Sequence, residues 1–185
     1  MFAGKAQAGI AGTDHDLSGA GYGTTQICIF CHTPHNAKTP QLIPLWNHTA
    51  TTQTFTTYTS STLNAVPGQP AGVSKACLSC HDGQTAIDAY GSRVGTTSMS
   101  GSAALGVALT DDHPISFTYD AALATADMGL VSPSSASWVD GAHTVPLYAS
   151  QLECGSCHNV HDNTYDPFLR KSNTTSALCL TCHSK

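Results

Sequence analysis

No apolar period is sustained across residues 1–27, a Gly- and Ala-rich stretch that carries His15 within Asp14-His15-Asp16-Leu17-Ser18, so it reads as an extended arm or loop. Thr, Ser, Gln and Tyr fill most of residues 49–62, and Pro67, Gly68, Pro70 and Gly72 then interrupt any regular element before Cys77. That segment reads as a connector. Residues 91–110 are a second low-charge run of Gly, Ser, Thr and Ala, and residues 132–137 form a Ser/Pro-rich turn. Short helices are predicted at Lys75 to Asp82, Ser150 to His158 and Ser176 to His183, with Asp120 to Leu130 as a fourth. The fold class expected is mostly irregular coil with a few short α-helices. Residues 1–185 are taken as a single domain behind the arm 1–27. With only 7% aromatic residues there is little material for a layered interior, so a group other than side chains is expected to fill the middle.

The cysteines say which group. All eight fall in Cys-x-x-Cys-His motifs, at 28–32, 77–81, 154–158 and 179–183. Cysteines at i and i+3 share one helical face and reach the two vinyl groups of a porphyrin, and the next residue, His, faces the iron. Cys28, Cys31, Cys77, Cys80, Cys154, Cys157, Cys179 and Cys182 are the expected thioether anchors of four covalently attached haem c groups, with His32, His81, His158 and His183 as proximal ligands. Zinc knuckles, redox thiols and disulfides are the competing uses of paired Cys-x-x-Cys. None needs a His after every pair, and with ten His in the chain that arises by chance on the order of 10^-5 of the time.

The other six histidines are His15, His35, His48, His113, His143 and His161, and four bis-His irons need four of them. His15, His35, His113 and His161 rank ahead as distal ligands. The pattern leaves open that His48 or His143 replaces His15 or His113. His35 follows His32 by three residues, a reach of at most about 10 Å, which cannot pass around a porphyrin edge. It serves another haem or none, and the same limit holds for His161 after His158. Pro34 and Pro114 restrain the backbone beside His35 and His113. The shared local order of Cys28 to His35 and Cys154 to His161 fits a duplicated two-haem unit.

Charge adds exclusions. Only 10% of residues are charged and the formal net charge is -5, which provides no basic patch for nucleic acid and little repulsion between copies. No apolar run is long enough to span a bilayer, and Met1-Phe2-Ala3-Gly4-Lys5 lacks a secretory hydrophobic stretch. Thioether attachment takes place outside the cytoplasmic membrane. An exported chain is therefore expected, extracellular or at the cell surface, with the periplasm as the alternative, its signal peptide removed before this numbering or omitted from it.

The strings His15-Asp16-Leu17-Ser18, CIFCHTPHNA at 28–37, Pro44-Leu45-Trp46-Asn47-His48, CLSCHDG at 77–83, His113-Pro114-Ile115-Ser116-Phe117 and CGSCHNVHD at 154–162 resemble multihaem cytochromes with doubled CXXCH motifs. Within them the chain is most similar to the tetrahaem extracellular filament cytochromes of the outer-membrane cytochrome E type. That resemblance implies a mostly coiled peptide around an unbroken line of haems, polymerised into conductive nanowires, with a His of one subunit ligating a haem of its neighbour. Carried onto this sequence, His35 is the candidate for the crossing ligand. The implied partners are copies of the chain in a head-to-tail filament, and other redox cytochromes or extracellular acceptors. A heterologous contact that does not close generates such a filament.

The function expected is electron transfer, as an extracellular conductive filament or, alternatively, as a monomeric periplasmic tetrahaem shuttle. No catalytic role is expected. A small multihaem reductase would need an open iron position, which the surplus of His opposes.

Overall fold

The computed structural model describes residues 9–40 and 42–184. The stretch Met1 to Lys5 and the first part of the arm lie outside the described residues. Regular structure is sparse, as the polar runs predict. In chain order it comprises β1 (Thr56–Thr57), α1 (Gly72–His81), β2 (Ala108–Leu109), β3 (Phe117–Thr118), α2 (Ala121–Asp127), β4 (Gln151–Leu152) and α3 (Cys154–Cys157). Short 3-10 turns lie at Leu17–Gly19, Ile27–Phe30, Gly101–Ala103, Thr174–Ser176 and Cys179–Thr181.

Two helices form close to where the sequence places them. α1 buries Ser74, Leu78 and Ser79, small and apolar groups on one side, and Ser79 receives the amide of Thr51 at 3.0 Å. Asp82 closes its end by accepting from the amides of Thr85 and Gln84 at 2.7 and 2.8 Å, while Gly83 takes the positive φ of +66° that reverses the chain. α2 starts at its Asp120 cap, whose carboxylate accepts from Leu123 N at 2.8 Å, and stops where Met128 turns left-handed.

The other two predicted helices are shorter than expected. Ser150 to Glu153 is not helical because Gln151 and Leu152 pair antiparallel with Thr118 and Phe117, leaving one turn, α3. Ser176 to His183 holds only a 3-10 turn. Thr175 and Ser176 have φ of +53° and +62°, which blocks an α-helical entry.

Sheets were not predicted, since two-residue strands carry no readable period. β1 and β2 pair in parallel, Thr56 with Ala108 and Thr57 with Leu109, within the Thr-rich connector and the low-charge segment. That pairing brings Phe55 and Leu109 onto Leu78 of α1. The β3–β4 pair places Phe117 and Leu152 in a larger cluster with Tyr119, Val139, Val145, Leu147 and Leu178. Side chains thus build two apolar clusters, one under α1 and one beside Cys157 and Cys182.

Candidate haem-attachment site

The four motifs repeat one local closure on different scaffolds. The first follows the 3-10 turn Ile27–Phe30, the second ends α1, the third is α3 and the fourth is the turn Cys179–Thr181. In each of the three short ones the motif His donates its amide to the first Cys carbonyl: His32 to Cys28 at 2.8 Å, His158 to Cys154 at 3.0 Å and His183 to Cys179 at 2.9 Å. This single turn puts both thiols and the imidazole on one side of the backbone. All eight cysteines are free thiols, and among the described residues no three of His, Cys, Asp or Glu converge as zinc requires.

Main-chain oxygens orient the imidazoles. Nδ1 of His32 meets Pro44 O at 2.7 Å, that of His81 meets Ala103 O at 2.7 Å, and that of His158 meets Pro167 O at 2.9 Å. His113 Nδ1 meets Pro114 O at 2.9 Å. A carbonyl only accepts, so each Nδ1 carries the proton and each Nε2 keeps its lone pair for a metal. Nothing in the sequence marks these acceptors, because any residue type supplies a carbonyl.

The rings also face one another in pairs. His15 and His81 have centres 6.1 Å apart, His32 and His161 6.1 Å, and His113 and His183 6.3 Å. Two imidazoles bound through Nε2 to one metal, at about 2 Å each, have centres about 6 Å apart, so the pairs fit an intervening iron. Burial, followed by the nearby His81, holds the proton affinity of His15 below that of an ordinary imidazole. Burial, followed by His32, does the same at His161. Both shifts favour the neutral imidazole, the form that binds metal. His15 sits edge-on to Phe168, with centres 4.5 Å apart, and its Nδ1 is buried without a partner among the described residues. The arm holding His15 is tied down at Gly9, whose amide donates to His161 O at 3.0 Å. A Cβ at Gly9 would lie 2.6 Å from that oxygen, so only glycine permits the approach.

The remaining histidines differ. His158 is in none of these ring pairs, although it is one of the neighbours, after burial and His81, that lower the proton affinity of His15. His35 is exposed, and His143 is exposed with its ring stacked on Trp138 at 5.1 Å. His48 is buried, with Nδ1 2.8 Å from Thr49 O and Nε2 3.3 Å from Ile87 O, and it lies 3.6 Å from Cys80 Sγ.

The motifs are neighbours in chain order. Burial, followed by Cys31, raises the proton affinity of the Cys80 thiol, and Cys31 adds a smaller contribution at Cys77 behind its hydrogen bond to Cys154 and burial. Cys77 and Cys154 hydrogen-bond, which raises the first and lowers the second. Burial, followed by Cys182, pushes the Cys157 thiol up to about 11. α1 and α3 pack directly, with Cys154 N donating to Ser74 Oγ at 2.9 Å.

Comparison with curated proteins returns no match. Residues 147–185, which contain the third and fourth motifs and His161, match the doubled CXXCH motif family. The motifs indicate covalently bound c-type haem, and the match, joined to a mostly coiled fold compatible with a small cytochrome c, supports a multihaem c-type cytochrome.

Proposed function

We propose that the chain conducts electrons through four haem c groups, and that it does so as a head-to-tail extracellular filament. The single observation that carries the first part is the set of three imidazole pairs at 6.1, 6.1 and 6.3 Å, each containing a motif His whose partner lies far away in sequence. On this reading His32 and His161 hold one iron, His81 and His15 a second, and His183 and His113 a third. His158 holds the fourth. When bound, haem would supply a one-electron iron couple, and two imidazole ligands would set it at a lower potential than a His/Met pair.

The residues of the chain have distinct tasks in this reading. The eight thiols fix the macrocycles covalently, and the carbonyls of Pro44, Ala103 and Pro167 lock the rings that face iron. The contiguity of the motifs keeps successive carriers close. Nothing in this arrangement calls for substrate chemistry, so the chain is read as a carrier rather than an enzyme.

The filament reading draws on the resemblance stated above and on two features of the site: His158 is in none of the three ring pairs near 6 Å, while His35 stands exposed next to the first motif. His35 of one copy is the ligand that would complete His158 of the next. The alternative is a monomeric periplasmic shuttle. Electron microscopy and size-exclusion of the secreted protein separate them: filaments are expected, and a clean monomer at high concentration overturns the polymer. Filaments should be wholly low-spin, whereas dissociated His35→Ala protein should bind cyanide at one haem. Four added macrocycles in the denatured mass test the haem count.

A further inference from the structure

Between the second and third motifs lies a buried carboxyl that haem attachment does not use. Glu153 precedes Cys154 and is 4% exposed. Ser116 Oγ donates to its Oε2 at 2.9 Å, and both the amide and the hydroxyl of Ser74 bond to its carboxyl. The Ser74 amide belongs to the first turn of α1, where helical N–H groups have no internal partner, and the residue preceding that helix, Ala71, caps it with no side chain. Glu153 does so from across the interface. Its own amide donates to Ser156 Oγ at 3.0 Å, so one residue fastens the segments bearing two neighbouring motifs.

Among the described residues it forms no ion pair. Among the described residues the ion pair present is Arg93 with Asp88, elsewhere in the chain. On α1 the titratable side chains are Lys75, Cys77, Cys80 and His81, of which Lys75 lines a separate cleft with Lys38 and Trp46. Ahead of β3 they are Asp111, Asp112 and His113, on α3 they are Cys154 and Cys157, and Arg170 reaches α3 by donating its Nε to Gly155 O at 2.6 Å. Of these, Cys154 feels the Glu153 charge, and as a thioether it no longer titrates. The serine donors stabilise the anion. Burial opposes them and dominates, holding the carboxyl above its usual range.

We propose that Glu153 is a redox-linked proton site, binding one proton from solvent when an electron from a donor cytochrome reaches the second or third motif. The inference rests on the haem reading above. The electron reduces ferric to ferrous iron, removing one positive charge, and the carboxylate becomes a carboxylic acid, removing one negative charge. Oxidation returns the proton to water. Two sites that sense each other's charge are coupled reciprocally: reduction raises the proton affinity of Glu153, and protonation raises the reduction potential.

The test is a potentiometric titration of the holoprotein at a series of pH values, with infrared difference spectra of the reduced and oxidised forms. Potentials of two haems should rise as pH falls, and a protonated-carboxyl band should appear on reduction. Glu153→Gln should abolish the band and flatten the dependence. Ser116→Ala, which keeps the carboxyl but removes a donor to its anion, should move the inflection up by about one pH unit. A Glu153→Gln protein that retains both band and slope, or an inflection unmoved in Ser116→Ala, overturns the proposal. A mass short of four macrocycles defeats the haem reading instead, whereas a full complement with pH-independent potentials defeats this inference alone.

Discussion

The second and third motifs differ from the first and fourth in what holds them. The inner two ride on α-helices that pack together, join through Ser74, Cys154 and Glu153, and keep all four of their thiols partly buried. The outer two ride on 3-10 turns, with Cys28, Cys31 and Cys179 exposed. Loops secure them through isolated bridges, His32 with Trp46 and His183 with Leu130. Close packing fixes relative position to a fraction of an ångström, while a bridged loop fixes only its own end. Rigid spacing is thus concentrated in the middle of the array, and accessibility at its ends, where charge would pass to another molecule.

The largest expected effect tests the inner contact. A Cβ on Gly155 would lie 2.7 Å from both Tyr148 OH and Val73 Cγ1, so Gly155→Val should cost about 3 kcal/mol in thermal unfolding. Gly19, in the turn before the first motif, has no atom within 4 Å of a built Cβ. Gly19→Ala should leave the melting curve unchanged, and an equal loss in both would erase the distinction between the two regions. Next comes His161→Ala, which removes the ring opposite His32. About one quarter of the low-spin haem absorbance should convert to high-spin, with the other haems unaffected. The smallest effect concerns the fourth motif. Tyr119 donates to Val131 O at 2.7 Å and lies 3.3 Å from Cys182 O, so Tyr119→Phe should destabilise the fold by about 1 kcal/mol, measured by denaturant titration.

How much of this was legible in the sequence follows from the length scale of each feature. Thioether attachment demands fixed spacing within five residues, so the motifs stand out with no structure at all. α1 and α2 were legible because Asp120 is a cap and because turn residues bracket Lys75 to Asp82. The β1–β2 and β3–β4 pairings were not, since each strand has two residues and its partner lies tens of positions away. They truncated the helix expected from Ser150. Chain reach limited His161 to an iron other than that of His158 or to none, but only the folded chain sets its ring beside His32. Glu153 carries no sequence signal because its partners, Ser74 and Ser116, come from separate segments.

Three motif imidazoles lean on peptide oxygens, not on carboxylates or amides. Point substitution at Pro44, Ala103 or Pro167 leaves the acceptor atom in place, so these loops can drift in residue identity while ring orientation survives. Deletions cannot be absorbed in this way, because they slide the oxygen itself out of register. Divergence among such chains is therefore expected to accumulate as exchanges of side chains rather than as changes of length next to the acceptors.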